Sequence, residues 1–110
     1  MSDKSQKIRD LNDRFRTTLA GAKILVSRSI SDSPSGEALR VFESVRRFDC
    51  FHDGNDPYGE HDFGTFRDEV LGQVNWKIDC YDLAMEYGSP DPSDPAVTMR
   101  VLTIGLVSDW

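Results

Sequence analysis

Residues 73–82 alternate strictly between apolar and polar positions, and this pattern constrains the fold more than any other. The apolar set is Val74, Trp76, Ile78 and Cys80. Because successive side chains of a β-strand point to opposite faces, the alternation predicts a strand with one buried face and one polar face. A sheet built around it is therefore expected to be covered on one side and open on the other.

Two segments with helical periodicity precede this strand. The first covers residues 3–19, where the charged positions, Asp13 and Arg16 among them, are predicted to form a solvated face. The second covers residues 34–48 and is preceded by Ser33, a common capping residue. Their apolar positions recur every three or four residues: Ile8, Leu11, Phe15, Leu19, then Ala38, Val41, Phe42, Val45 and Phe48.

Three further segments have strand character: residues 23–30, 63–66 and 97–107. Residues 88–95 contain three prolines, which exclude ladder pairing and predict a loop. The order α-β-α-β-β-β, with strands clustered late, predicts an α+β fold. We expect a mostly antiparallel sheet of three to four strands with two helices packed on one face. A single domain spanning residues 1–110 accommodates it.

The acidic residues are concentrated in the second half of the chain. The formal net charge is −6, and residues 51–110 carry 12 Asp and Glu against 3 Lys and Arg. This balance disfavours direct binding to nucleic acid and favours cations or basic protein surfaces.

A cytoplasmic location is predicted from three features of the chain. No apolar run is long enough to span a membrane, and the first residues contain no apolar signal region. The two cysteines, Cys50 and Cys80, are too few for a disulfide scaffold and are interpreted as buried thiols.

Residues 52–64 hold both histidines, four carboxylates and three glycines, so they cannot form a regular helix. Imidazole and carboxylate groups are ligands of zinc, manganese and iron. One hypothesis is therefore a metal site, whose ligands would be His52, Glu60, His61 and Asp62. No recognised ligand spacing accompanies these residues, and turn formation explains much of the segment. A core built from two helices and several strands needs no metal, so the leading prediction is that no cofactor is bound.

The leading interpretation of these loops is a binding surface. Tyr58, Tyr81, Tyr87 and Trp110 are expected to be partly exposed beside acidic loops, a combination that suits a basic protein partner. We expect the loops 52–64 and 88–95 to lie together at one end of the sheet. Arg100 lies in an apolar strand and is expected to pair with Asp79 or a nearby carboxylate.

Several segments together resemble an uncharacterised bacterial family, catalogued as domain of unknown function 3768. The resemblance is carried by residues 8–13, 16–18, 55–64, 76–82, 88–98 and 100–104. It implies no reaction. Members look common in proteobacteria, including on plasmids and phage-like elements, which implies an accessory or anti-defence role. The family pattern tends to have Asp-Tyr-Tyr-Asp where this chain has Asp79-Cys80-Tyr81-Asp82, and an inward cysteine there fits core packing.

The leading hypothesis is a non-enzymatic, cytoplasmic protein that binds a basic surface of another protein or a nucleoprotein complex, with no direct contact to nucleic acid or membrane. An inhibitor of a host defence complex, such as an anti-CRISPR protein from a mobile element, is its most concrete form. A homodimer is compatible with it. The alternative is a metal-dependent hydrolase or a metal-binding enzyme centred on His61, Glu60, Asp62 and Asp79. The predicted binding surface comprises Asp53, Asp56, Tyr58, Glu60, His61, Asp62, Asp79, Tyr81, Asp82, Asp91 and Asp94.

Overall fold

A computed structural model of the protein describes residues 3–19, 23–33 and 36–107. No helix of this part of the chain is long and apolar enough to cross a membrane. A short 3-10 helix (Pro95–Val97) precedes the last strand. In chain order the other elements are α1 (Asp3–Thr18), β1 (Lys23–Val26), α2 (Arg28–Ser31), α3 (Glu37–Arg46), β2 (Phe63–Asp68), β3 (Gly72–Tyr81) and β4 (Met99–Leu106).

The four strands form one sheet in the order β1-β4-β3-β2. β2 pairs with β3 and β3 with β4 in antiparallel register, whereas β1 joins β4 in parallel. The two central strands are β3, which has the strongest alternation, and β4, which is the most apolar. Their apolar side chains are buried on the face that the helices cover. The predicted α+β class with a mostly antiparallel sheet is confirmed.

The helices cover one face of this sheet. Along β3 the buried positions alternate with half-buried ones, so that the side chains predicted to point inward do so. Phe15 of α1 and Ile30 of α2 pack into the same cluster. Its most completely buried members are Trp76, Ile30, Leu102, Ile104, Val41, Val45 and Val74.

The predicted strand over residues 23–30 is wrong in its second half. β1 ends at Val26, where its pairing with β4 ends opposite Ile104. The backbone N–H of Ser27 donates to the Ile104 carbonyl, and the chain then turns into α2, whose N–H groups at Ile30 and Ser31 donate back to the Ser27 carbonyl. Ile30 reaches the core from a helical turn instead of a strand face, and it is fully buried.

The start of α3 also differs from the prediction. The helix begins at Glu37 and is preceded by Gly36, whose φ of 80° lies in the left-handed region that glycine adopts readily. The Ser33 hydroxyl donates to the Ser29 carbonyl at 2.9 Å, so it caps the preceding turn and not α3. Pro34 lies outside the described residues.

The cysteines are only partly as predicted. Both thiols are free, but Cys50 is exposed and Cys80 is half-buried. Cys80 does lie on the inward set of β3, and burial raises the pKa of its thiol. Cys50 follows the C-terminal end of α3 and is exposed, although Phe48 and Phe51 on either side of it pack against the core.

Candidate functional site

Two acidic loops lie at the same end of the sheet, as the sequence predicted. Residues 52–62 lead into β2, and residues 82–98 connect β3 to β4. Phe63 pairs with Lys77, and Tyr81 pairs with Met99. The start of β2, the end of β3 and the start of β4 therefore lie at the same end of the sheet. We call these two segments together the acidic loop end.

The first loop is held in shape by its own polar side chains. The Asn55 amide accepts a hydrogen bond from the His52 backbone N–H and donates to the Cys50 carbonyl, each at 2.9 Å. The Asp56 carboxylate accepts a hydrogen bond from the backbone N–H of His61 at 3.0 Å, and His61 itself has a φ of 54°. Asp56 is only 8% exposed, so its carboxylate supports the loop from inside and does not contribute to the surface.

His61 connects this loop to α1. Its Nδ1 lies 2.9 Å and 3.1 Å from the two carboxylate oxygens of Asp13, and its Nε2 lies 3.5 Å from Asp56 Oδ2. The imidazole stacks on the Phe51 ring with a centroid distance of 3.7 Å and an interplanar angle of 4°. Carboxylates on both sides and an aromatic ring on one face fix its orientation. This arrangement is that of an anchor between loop and helix.

Arg16 connects Asp13 of this anchor to the last turn of α3. Its Nη1 donates to the carbonyls of Val45 and Arg46 at 2.8 Å and 3.1 Å, and its Nη2 lies 3.3 Å from Asp13 Oδ1. The guanidinium carbon lies 5.1 Å from the centroid of the Trp76 ring, within cation–π range. Arg16 is 3% exposed, so the predicted solvated face of α1 is wrong at this position.

Asn12 joins both loops to α1. Its Nδ2 donates to the Glu60 carbonyl at 2.9 Å, and its Oδ1 accepts from Arg100 Nε at 2.8 Å. Arg100 Nη2 donates in turn to the Pro92 carbonyl at 2.5 Å. One fully buried amide therefore links residues of the helix, the first loop, β4 and the second loop.

The predicted pairing of Arg100 with Asp79 is wrong. Asp79 lies opposite Val101 in the β3–β4 register, and Arg100 lies opposite Cys80. Since neighbouring positions of a strand face opposite sides, Arg100 points toward the helices and Asp79 toward the open face. There Asp79 lies 3.3 Å from Lys77 Nζ and shares the open face with Tyr81.

The carboxylates of Glu60 and Asp62 are crowded. Burial raises the pKa of both groups, and neighbouring carboxylates raise it further: Asp62 and Asp56 act on Glu60, and Asp56 and Asp79 act on Asp62. Within the described residues, neither carboxylate forms an ion pair with a lysine or arginine side chain. Each is therefore less stable as an anion here than in water.

The second loop is also built from carboxylate-capped turns. Asp82 Oδ1 accepts from the backbone N–H of Glu86 at 3.0 Å, and Asp94 Oδ1 accepts from that of Ala96 at 2.9 Å. Asp91 accepts from the hydroxyl and backbone N–H of Ser93, and these bonds, with the Ser93 hydroxyl first, lower the pKa of Asp91. Three of the predicted surface acids thus have a structural task in their own loop.

The residues of the alternative metal hypothesis are only partly brought together. Glu60, His61 and Asp62 follow one another, but His61 is engaged by its carboxylate partners. His52 is exposed, and its Nδ1 accepts from the Gly54 backbone N–H at 3.1 Å. Within residues 3–19, 23–33 and 36–107, no three His, Cys, Asp or Glu side chains are arranged to hold one metal ion.

Exposed apolar and aromatic side chains stand among these acids. Tyr58 in the first loop is 75% exposed, and Leu83 and Tyr87 in the second loop are 60% and 73% exposed. Asp53 is also exposed. Of the predicted binding surface, Asp53 and Tyr58 are the exposed positions; Leu83 and Tyr87 add to them, and Trp110 lies outside the described residues.

Sequence reasoning missed the residues that hold the site together, namely Asn12, Asp13, Arg16 and the Phe51 ring. A usable signal was present: Asn12 falls four positions after Ile8 on the apolar stripe of α1, and Arg16 four positions later still. Polar residues on an apolar stripe are buried with partners, so their spacing could have identified them.

The sequence profile of a family described as "Protein of unknown function (DUF3768)" matches residues 26–109. The chain belongs to this family, which confirms the resemblance from the end of β1 onward. The match does not include α1, so the resemblance of residues 8–13 and 16–18 stays a prediction. No curated protein and no solved structure matches the chain.

Proposed function

We propose that this member of the DUF3768 family is a non-enzymatic binding protein whose acidic loop end docks on a basic surface of another protein or a nucleoprotein complex. The observation that carries the proposal is the exposure of Tyr58, Leu83 and Tyr87 on two hydrogen-bonded acidic loops at one end of the sheet. Aromatic residues supply much of the contact energy in protein interfaces.

The charge of these loops selects the partner. Residues 52–62 and 82–98 together contain eight carboxylates and no lysine or arginine. Such a surface repels a phosphate backbone and attracts a cluster of lysine and arginine side chains. Long-range attraction of this kind mainly accelerates association and excludes wrong partners.

The hydrogen bonds inside the loops favour binding over a mere linker role. Asp56, Asp82, Asp91 and Asp94 each fix a backbone turn, and Asn12 ties both loops to α1. A surface that is already ordered loses little conformational entropy on association. The same network also explains why so many acids are needed in two short segments.

An inhibitor of a host defence complex, encoded by a mobile element, is the most specific form of this proposal. Complexes that handle nucleic acid present rows of lysine and arginine, which an acidic surface can occupy. The anti-defence role rests on the family resemblance alone. A cytoplasmic location agrees with two free thiols, one of them exposed, because a reducing compartment preserves them.

The test compares two doubly substituted variants with equal charge change. Asp53→Lys with Glu86→Lys alters the acidic loop end, and Asp32→Lys with Glu69→Lys alters exposed positions elsewhere. Partners are captured from host extract with each protein and then titrated in purified form at increasing salt. We expect the loop-end variant to bind about tenfold more weakly and with a reduced salt dependence, while the control stays within about twofold of the wild type.

A second pair of variants tests the aromatic contribution without a change of charge. Tyr58→Ser with Tyr87→Ser should weaken binding about tenfold or more, because exposed tyrosines act as anchors. Val70→Ser, at a 63% exposed position of the β2–β3 turn, is the control. Equal effects of the loop-end variants and their controls would rule out docking through this end of the sheet.

A further inference from the structure

A groove of about 550 Å³ runs between α1 and the loop that precedes β4. Its apolar walls include Leu11 and Phe15 from the helix, and Leu83 and Met99 from the other side. The charged residues that line it, within the described chain, are Arg14 and Arg100. In a protein of net charge −6 beside two acidic loops, a groove lined by two arginines and no acid requires an explanation.

Arg100 is the buried cation of this groove, with an exposed fraction of 8%. Its hydrogen bonds go to neutral acceptors, the Asn12 amide oxygen and the Pro92 carbonyl. No carboxylate of the described residues pairs with it. A guanidinium removed from water without a counter-ion is costly, and burial accordingly lowers the pKa of Arg100.

Part of the guanidinium remains free to bind. Nε and one hydrogen of Nη2 are used, which leaves Nη1 and the second hydrogen of Nη2. Nη1 has no hydrogen-bond partner among the described residues and is not fully buried. Solvent in the groove therefore reaches it. Three N–H groups remain, two on Nη1 and one on Nη2, and the Nη1/Nη2 side of a guanidinium can bind a carboxylate through both oxygens.

We propose that this groove binds an organic carboxylate with an apolar body, and that Arg100 receives the carboxylate. The walls formed by Leu11, Phe15, Leu83 and Met99 contact the apolar part, and exposed Arg14 attracts the anion from solvent. Two sources have this chemistry, a free organic acid and the C-terminal carboxylate of a peptide that ends in an apolar residue. The volume lies within the range of small-molecule sites.

The first experiment compares head groups on the full chain. The isotope-labelled protein is titrated with 4-phenylbutyrate and with 4-phenylbutyramide, and backbone and methyl NMR shifts are followed. We expect the acid to bind about tenfold or more tightly than the amide, because a charge-assisted bidentate pair is lost in the amide. The shifts should centre on Leu11, Phe15 and Met99. Equal affinity of acid and amide, or shifts centred elsewhere, would overturn the proposal.

A second arm distinguishes the two sources. The peptide acetyl-Ala-Leu-Phe is titrated with a free C-terminus and as its C-terminal amide. Tighter binding of the free peptide than of 4-phenylbutyrate assigns the groove to a peptide terminus, and the reverse order assigns it to a free acid. Failure of every compound to bind saturably would show that the groove is not a carboxylate site.

Variants identify the residue that reads the charge. Arg100→Gln should remove the preference for acid over amide. Since Arg100 also holds Pro92 and Asn12, two surface variants provide an independent test if this one does not fold. Arg14→Gln should weaken binding of the acid about twofold to fivefold, and Leu83→Glu should weaken it further by repulsion. Arg28→Gln, at a 92% exposed side chain on α2, is the matched control and should leave affinity unchanged. Unchanged affinity in both surface variants would contradict the proposal.

Discussion

Replacing Asn12 by alanine should destabilise the protein by about 1.5–4 kcal/mol. The substitution leaves Arg100 Nε, a buried charged donor, without its acceptor, which costs about 1.5–3 kcal/mol. It also removes the bond to the Glu60 carbonyl, worth about 0.5–1.5 kcal/mol net. The higher helix propensity of alanine offsets about 0.5 kcal/mol of this loss. Urea denaturation, followed by circular dichroism, measures the change in the free energy of unfolding.

Asn75→Ala is the control for this prediction, since it makes the same chemical change on the open face of β3. Asn75 is half-buried and accepts one hydrogen bond, from the Thr65 hydroxyl, so its loss should cost less than about 1 kcal/mol. Amide hydrogen exchange should accelerate in both acidic loops of Asn12→Ala and in neither loop of Asn75→Ala. A cost below about 1 kcal/mol for Asn12→Ala, or equal costs for both variants, would refute the bridging role of Asn12.

Three further predictions concern stability. Gly64→Ala should cost about 1–3 kcal/mol in urea denaturation, because the new Cβ would lie 2.7 Å from a carbon of the Phe48 ring, whereas Gly88→Ala, with nothing within 4 Å, should cost little. Asp68 is buried against Arg40, which lowers its pKa, so Asp68→Asn should destabilise at pH 7; the deficit should shrink as the pH falls below about 4, where the unfolded wild-type chain protonates this carboxylate, and vanish only when the folded carboxylate is protonated at still lower pH. Asp62, whose pKa is raised, should behave in the opposite sense: Asp62→Asn should stabilise at pH 7, with the gain vanishing as the pH falls through the pKa of the wild-type group.

Local periodicity was sufficient to locate most of the secondary structure. The helical spacing of α1 and α3 and the alternation of β3 predicted these elements within a few residues of their observed bounds. The end of β1 at Val26 could not be predicted this way. Only Ile30 among residues 27–30 is apolar and β-branched. It reaches the core from the turn of α2, whose N–H groups at Ile30 and Ser31 donate to the Ser27 carbonyl, although β4 continues to Leu106. Tertiary context overrode local preference.

The candidate site was predicted in outline but not in its internal contacts. Turn chemistry identified both loops, and their shared end followed from antiparallel pairing. Whether a given aspartate caps a turn or faces solvent depends on the local backbone, so Asp56 and Asp53 look alike in sequence and differ completely in burial. The contact of Asp13 with His61 joins residues 48 positions apart, and no local pattern encodes such a pair.

The parallel pairing of β1 with β4 has a consequence for the order of folding. Residues 23–26 lie near one end of the described chain and residues 101–104 near the other, so this contact closes a loop containing nearly all the other elements. The β2–β3 hairpin, by contrast, closes through a short turn. Contacts between distant segments form late because the chain entropy lost in closing them is large. We therefore expect the hairpin and β4 to assemble first, and β1 to be the last strand to dock and the first to detach.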